Sequence, residues 1–229
     1  MVITSKSRVV SLLLKAVVII SAALGVSLSA YASRASFMGG SRVFMFFTIQ
    51  SNIAIALISL IGAVFLLKGT PVHNVWYVIK FVGTVSITLT GFVFTFILAP
   101  TLGKYAWNTQ NILTHVVVPA AAIIDFFVTG PYGSFKKRDI IYVILPPVAY
   151  AVYAGIGYVA GWEFGEGIHY PYFFLNWGSP AGAFGFTDGF PFMGCVWWIL
   201  VLLVFLIVVG YVYLLIIDGL RKIMNNRKG

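Results

Sequence analysis

Two polar residues, Thr48 and His115, lie inside otherwise apolar segments and are the residues best suited to chemistry. An ionisable side chain at membrane depth is costly, so His115 indicates a functional site by default. A threonine hydroxyl is a possible nucleophile when a neighbouring base can accept its proton. The pair therefore predicts acyl transfer, provided that the fold brings the two side chains together.

The composition is that of a membrane protein. Hydrophobic residues make up 60% of the 229 residues and charged residues only 9%, which excludes a soluble globular protein. We predict an all-α fold with a single integral membrane domain over residues 1–229, because no hydrophilic stretch is long enough to fold separately. The net charge of +9 comes from basic residues beside apolar runs, a pattern typical of inner-leaflet anchoring and not of a nucleic-acid surface. The one cysteine, Cys195, excludes a disulfide framework.

Six apolar runs reach the length of about 20 residues that a helix needs to cross a bilayer. They cover roughly residues 9–31, 43–67, 75–99, 110–129, 139–160 and 193–217. Residues 68–71 and 130–133 contain the glycines and prolines that end the second and fourth runs. The first run ends in Ala-Tyr-Ala, which is similar to a signal-peptidase site. Its length and its internal Lys15 favour a retained helix.

The basic residues predict the orientation, because cytoplasmic loops are enriched in lysine and arginine. With both termini in the cytoplasm, only Arg34, Arg42 and Lys104 lie outside. The other twelve of the 15 lie inside: Lys6, Arg8, Lys15, Lys68, Lys80, Lys136, Lys137, Arg138, Arg221, Lys222, Arg227 and Lys228. Two of these, Lys15 and Lys80, fall within apolar runs and are expected to snorkel towards the inner surface.

This topology places Thr48 and His115 at the same depth. The second span enters the membrane from outside near residue 43, and the fourth span enters from outside near residue 110. At 1.5 Å per helical residue, each side chain lies about 8 Å below the start of its helix. Pro119 lacks the amide that would bond the carbonyl of His115, so we expect the fourth helix to be disturbed there.

Amide and hydroxyl side chains accompany the pair at helical spacing. The candidates for support or for stabilising an oxyanion are Gln50, Ser51, Asn52 and Asn111. Asp125 lies ten residues beyond His115, hence about 15 Å deeper. It cannot orient the imidazole, and we expect it in a local polar network or beside the basic cluster of Lys136, Lys137 and Arg138. A third group that holds His115 must come from Asn111 or from the outer loop.

The segment 161–192 differs from the spans because it is rich in glycine and aromatic residues and contains three carboxylates but no lysine or arginine. We expect this outer loop to supply substrate contacts from His169, Tyr170, Asn176 and Asp188. Its aromatic run, 170–177, is typical of an interfacial belt more than of a lid. Glu163, Glu166 and His169 lack the spacing of an HExxH-type metal site, so neither a metal nor another cofactor is predicted.

Three segments, in this order and spacing, resemble the androgen-induced-protein family and most closely its bacterial relatives. They are Phe-Phe-Thr-Ile-Gln-Ser-Asn at 46–52, His-Val-Val-Val-Pro at 115–119 followed by Asp125, and Tyr170-Pro171 before Asn176. The resemblance implies a multi-pass hydrolase of the bacterial plasma membrane that cleaves fatty acid esters of hydroxy fatty acids. It assigns the nucleophile to Thr48 and its partner to His115.

The sequence thus predicts a membrane-embedded lipid esterase whose partners are a fatty acid ester and the bilayer, with no nucleic acid. A threonine in a membrane helix commonly bonds a carbonyl one turn back, and a histidine can serve as a packing contact between helices. Pattern alone does not separate these interpretations. The alternative is therefore a non-catalytic lipid-binding or transport protein, although no repeated halves of the kind common in transporters are visible.

Overall fold

Six long apolar helices form the fold in the computed structural model, which describes residues 5–35, 40–70, 72–129 and 137–226. Each is long and apolar enough to cross a membrane. They are α1 (Ser5–Ala32), α2 (Phe47–Lys68), α3 (Asn74–Tyr105), α4 (Thr109–Thr129), α5 (Arg138–Val159) and α6 (Cys195–Asn226). Within the described ranges the chain has no β-strand. The prediction of an all-α bundle with six spans is confirmed.

The helix boundaries follow local signals in the sequence. Gly69 ends α2 in the left-handed conformation, with φ of 65°, which glycine adopts without steric cost. Asn108 begins α4, and its side chain accepts a hydrogen bond from the backbone N–H of Asn111 at 2.9 Å. The third helix extends to Tyr105, six residues past the predicted end, because a π turn and a short 3₁₀ turn continue it.

Two apolar clusters hold the bundle together. The first joins α1 to α2, α3 and α4 through small and β-branched side chains such as Val18, Ile87 and Ala122. The second joins α3, α4, α5 and α6 to the outer loop through larger residues: Phe81, Phe126, Val143, Leu206 and Phe174. The outer loop is therefore part of the packed core and fixes the mouth of the bundle.

A buried carboxylate ties three helices together near one end of the bundle. Asp125 on α4 lies 2.5 Å from the ammonium of Lys15 on α1 and 2.8 Å from that of Lys80 on α3. Ser11 donates a hydrogen bond to the second carboxylate oxygen, and Thr129 accepts one from Lys80. Asp125 thus lies in a local polar network, which is one of the two placements predicted for it.

The prediction that Lys15 snorkels to the inner surface is wrong, because its side chain is only 3% exposed and turns towards Asp125. Lys80 also turns inward, with 13% of its side chain exposed. Asp125 is the partner of both buried ammonium groups, and a buried charge without a partner would be far more costly than a paired one. Of the other partners considered for Asp125, Arg138 forms no ion pair with it among the described residues, and the side chains of Lys136 and Lys137 are not described.

Contacts at the helix ends agree with the predicted topology. Arg8 at the start of α1 donates to the carbonyl of Leu67 at the end of α2, at 3.0 Å, so these two ends lie together. Arg42 lies 2.6 Å from Glu163 of the outer loop, so the residues before α2 lie near those after α5. The direction in which the bundle crosses the membrane stays a prediction based on the basic residues.

Candidate active site

Thr48 and His115 are in contact. Thr48 Oγ1 lies 3.3 Å from His115 Nε2, although the two residues are 67 positions apart in the chain. Thr48 is partly buried, and His115 is 7% exposed. The equal depth predicted for the two residues is therefore accompanied by direct juxtaposition of a hydroxyl and an imidazole.

Thr48 occupies the first turn of α2. The extended residue Phe46 precedes the helix, and its carbonyl accepts the N–H groups of Ile49 and Gln50, both at 3.1 Å. The N–H of Thr48 instead donates to the hydroxyl of Tyr172, at 3.2 Å. The first turn of a helix leaves N–H groups unpaired and carries the positive end of the helix dipole. Thr48 thus lies where the backbone favours negative charge.

His115 lies in a π turn of α4, Leu113–Val117, which ends two residues before Pro119. A second π turn, Phe94–Leu98, faces it from α3. The rings of Phe94 and His115 stack with centroids 3.8 Å apart and an angle of 18° between their planes. The disturbance predicted near Pro119 takes the form of a widened turn, and such turns are frequent at functional sites.

Gly91 allows α3 to approach α4 closely at this level. A Cβ atom at position 91 would lie only 2.9 Å from the carbonyl oxygen of His115 and 3.3 Å from the ring of Pro119. Contacts that short are not tolerated, so a side chain here would push the two helices apart. The glycine therefore holds the backbone of His115 against α3 and fixes the position of the imidazole.

The surroundings of Nδ1 determine the tautomer of His115. Nδ1 lies 3.0 Å from the carbonyl of Asn111 and 3.0 Å from the hydroxyl oxygen of Thr114. The Thr114 hydroxyl donates its own proton to the carbonyl of Gln110, at 2.8 Å, so its oxygen accepts from the imidazole. Both neighbours of Nδ1 are acceptors, and Nδ1 therefore carries the proton. Nε2 then presents its lone pair to the hydroxyl of Thr48.

Asn111 was one of the two sources predicted for a group that holds His115. It does so, but through its backbone carbonyl. Its side-chain amide donates to the carbonyl of Ala106, at 2.9 Å. Asn52 donates from its amide to the carbonyls of Thr48 and Thr114, at 2.8 and 3.1 Å, and so joins α2 to α4 at the site. The side-chain amides of Asn52 and Asn111 thus donate to backbone carbonyls and not towards Thr48 Oγ1.

The remaining two supporting candidates also have scaffold contacts. Ser51 Oγ lies 2.8 Å from Thr90 Oγ1 on α3 and 3.1 Å from the carbonyl of Thr48. Gln50 is exposed and donates to the carbonyl of Phe44, at 3.1 Å. None of these contacts points at Thr48 Oγ1, so the geometry favours another group as the donor to an oxyanion.

The side chain that does contact Thr48 Oγ1, besides His115, is Tyr172 of the outer loop, which the sequence interpretation missed. Its hydroxyl lies 3.4 Å from Thr48 Oγ1 and 3.2 Å from the Thr48 nitrogen. Its ring stacks on Phe174, with centroids 5.0 Å apart and planes at 6°. Burial raises the pKa of the Tyr172 phenol above its ordinary value, so the hydroxyl keeps its proton at neutral pH.

The outer loop covers the site instead of forming a simple interfacial belt. Phe174 and Leu175 are only 5% and 4% exposed, because they pack against the core at the mouth of the bundle. The belt interpretation of residues 170–177 is therefore wrong for the centre of the run. The sequence signal for a buried cover was the apolar run Phe173, Phe174 and Leu175 beside Tyr172. An interfacial belt has the same composition, so this signal could not separate the two.

The four outer-loop candidates have different positions. Tyr170 lines the cavity at Thr48. His169 is exposed and contacts the carbonyl of Trp162, at 3.1 Å. The side chain of Asn176 accepts from the N–H of Gly178, at 3.1 Å, within a turn, and Asp188 is exposed near the far end of the loop. Among the described residues, no three His, Cys, Asp or Glu side chains group to hold a metal ion.

Two cavities meet at Thr48. The outer cavity, of about 470 Å³, is lined by Thr48 and His115 together with polar residues of the helix ends: Thr101, Asn108, Gln110 and Asn111. A small cavity of about 60 Å³ lies on the other side of Thr48, and its walls are mainly apolar, including Leu89, Val93, Leu175 and Leu203. Thr48 and Tyr172 line both. The hydroxyl of Thr48 is thus placed between a larger cavity of mixed lining, which also includes Val43, Ile49 and Ile168, and a small cavity that is almost wholly apolar.

Comparison with known proteins does not decide the family. No family model matches the chain, nor does any curated protein or solved structure. The resemblance to the androgen-induced-protein family therefore stays a prediction carried by the three short segments.

Taken together, the site has the parts that acyl transfer needs. Thr48 supplies a hydroxyl, and His115 presents an unprotonated nitrogen to it. Tyr172 and the first turn of α2 supply positive character beside the hydroxyl. Burial of His115 and the apolar residues packed around the pair strengthen these electrostatic contacts, because the local dielectric constant is lower than that of water.

Proposed function

We propose that the protein is a membrane-embedded lipid esterase that hydrolyses fatty acid esters, with Thr48 as the nucleophile and His115 as the general base. The observation that carries the proposal is the 3.3 Å contact between Thr48 Oγ1 and His115 Nε2, with the proton of the imidazole held on Nδ1. The resemblance to the androgen-induced-protein family supports the same assignment. It indicates fatty acid esters of hydroxy fatty acids as substrates.

The proposed reaction has two steps. In the first, Thr48 Oγ1 bonds to the ester carbonyl carbon as Nε2 of His115 takes the hydroxyl proton. The carbon–oxygen bond to the alcohol then breaks, and the alcohol leaves with that proton. In the second, His115 takes a proton from water, whose oxygen attacks the acyl-enzyme, and returns it to Thr48. The products are a fatty acid and an alcohol.

Tyr172 is the proposed oxyanion donor. Its oxygen accepts the N–H of Thr48, so its own proton is directed away from that nitrogen. The hydroxyl lies 3.4 Å from Thr48 Oγ1, which places it beside a carbonyl oxygen on the carbon that Oγ1 attacks. The positive end of α2 favours the same negative charge.

The alternative of non-catalytic lipid binding or transport gives no role to this set of contacts. Nδ1 of His115 is engaged within its own helix, by Asn111 and Thr114, so Nε2 is the nitrogen that faces the hydroxyl of Thr48 on α2. Neither lipid binding nor transport requires that the imidazole of His115 be held in one tautomer. The arrangement therefore favours hydrolysis.

The proposal is tested by incubating the purified protein in detergent with a panel of lipid esters that includes fatty acid esters of hydroxy fatty acids. We expect release of fatty acid, and an acid quench should trap an acyl group on the peptide that contains Thr48. Mass spectrometry of that peptide measures the adduct, and Thr48→Ala should lack it. If the folded wild-type protein hydrolyses no ester in the panel, the esterase proposal is wrong.

Tyr172→Phe is expected to lower kcat by about 10²–10³-fold, as the loss of one oxyanion donor does in other hydrolases. KM should change little, because the phenylalanine ring preserves the stacking on Phe174. The two constants are measured on one lipid ester in the same detergent.

Tyr213→Phe is the matched control for Tyr172→Phe. It removes a hydroxyl that contacts Thr88 Oγ1 at 2.9 Å, away from the site, and kcat should stay unchanged. An unchanged kcat in Tyr172→Phe would remove this residue from the reaction and leave the rest of the proposal standing.

A further inference from the structure

A large groove lies between α2, α3 and α5 on the opposite side of Phe47 from the small cavity at Thr48. Its volume is about 880 Å³, within the range of sites that hold small organic ligands. Its walls are mostly apolar, with Ala54, Ile58 and Val82 among them. Several wall residues are exposed, including Val75, Ile79 and Leu145, so the groove opens laterally towards the acyl chains of the bilayer.

Only one aromatic layer separates this groove from the site. Phe47 and Tyr150 line both the groove and the small cavity beside Thr48. Their rings contact each other edge to face, with centroids 5.3 Å apart. Tyr150 is held in place by its hydroxyl, which donates to the carbonyl of Met45, at 3.0 Å. Rotation of the Phe47 side chain would therefore join the groove to the space next to the nucleophile.

We propose that the groove is the binding site for the acyl chain of the ester, and that the chain enters from the bilayer and reaches Thr48 past Phe47 and Tyr150. This inference rests on the proposed esterase function. The groove follows α2 from Phe47 to Ile58, a distance of about 16 Å along the helix. A mostly apolar trough of this length suits a long, unbranched hydrocarbon chain.

The outer cavity has a different role. It reaches Thr48 and His115 between the helix ends and the outer loop, and both polar and apolar residues line it. Water and the alcohol part of the ester fit this cavity, because Asn108, Gln110 and Asn111 give it hydrogen-bonding groups beside the catalytic pair. A short, water-soluble ester can use the outer cavity alone, whereas a long-chain ester also needs the groove. The two kinds of ester should therefore respond differently when the groove is filled.

Ala54→Phe tests the inference. Ala54 is an exposed residue of α2 that lines the groove about 10 Å along the helix from Phe47, so a larger side chain there blocks the path without contacting Thr48. The measured quantity is kcat/KM for p-nitrophenyl palmitate divided by that for p-nitrophenyl acetate in one detergent. We expect this ratio to fall by more than about 10-fold, since a filled apolar pocket discriminates strongly by chain length.

Ala120→Phe is the control, because Ala120 is exposed on α4 and does not line the groove. In this variant the ratio of kcat/KM for the palmitate to that for the acetate should equal the wild-type ratio. If Ala54→Phe does not fold, Ala149→Phe fills the same groove from α5. A wild-type ratio in a folded groove variant overturns the inference and leaves the esterase proposal intact. Failure of the wild-type protein to hydrolyse these two esters and every ester of the lipid panel overturns both.

Discussion

His115→Ala is expected to lower kcat for fatty acid ester hydrolysis by about 10⁴-fold, the upper range for loss of a general base. Without the imidazole, whose Nε2 lies 3.3 Å from Thr48 Oγ1, the other contact of this hydroxyl is the phenol of Tyr172, which keeps its own proton at neutral pH and is a poor base. Release of fatty acid from one lipid ester measures the effect. Circular dichroism and gel filtration in detergent check that the variant remains folded.

The double variant Thr48→Ala/His115→Ala distinguishes catalysis from packing. Residues that act together in one reaction step give losses that do not multiply, so the double variant should be no slower than Thr48→Ala alone. If the two residues only pack against each other, their replacement lowers the melting temperature and no turnover exists to lose. Losses that multiply would show that Thr48 and His115 act independently.

The sequence predicts Thr48 and His115 as a pair because their helices enter the membrane from the same face. Residues near the outer ends of two such helices lie at similar depth, but the count of five residues from each start is wrong, because α2 begins at Phe47 and α4 at Thr109. Pro119 likewise predicts a disturbance near His115, because a missing amide acts locally. The form of that disturbance, a π turn stacked on Phe94, depends on α3 and is not determined by the sequence of α4.

The contact of Tyr172 with Thr48 and the inward position of Lys15 were not predicted, and the reason is the same for both. Tyr172 lies 124 residues from Thr48, and its role depends on how the outer loop folds back over the bundle. Lys15 lies 110 residues from Asp125, and its snorkelling was expected from hydropathy alone. Both depend on a partner that packing supplies, and neither spacing nor composition specifies which distant partner a polar residue will meet.

Asp125→Ala is expected to destabilise the bundle by about 3–5 kcal/mol, the usual cost of removing one partner of a buried ion pair. Two ammonium groups, of Lys15 on α1 and Lys80 on α3, would lose the carboxylate between them while staying inside the apolar bundle. Thermal unfolding in detergent, followed by circular dichroism, measures the effect. Asp218→Ala is the control, because Asp218 is 60% exposed in its pair with Arg221 and should change stability by less than about 1 kcal/mol.

Replacing all three charged residues of the cluster should restore the stability that Asp125→Ala removes. In the triple variant Lys15→Met, Lys80→Met and Asp125→Leu, no charge remains to be buried, and apolar side chains of similar volume often replace buried ion pairs without loss of stability. Asp125 lies about 15 Å along α4 from His115, so ester turnover in the triple variant should match the wild type. If the triple variant is as unstable as Asp125→Ala, the cluster holds the helices by directed contacts that packing cannot replace. If it is stable but inactive, the charges act on the site itself, and their role is catalytic as well as structural.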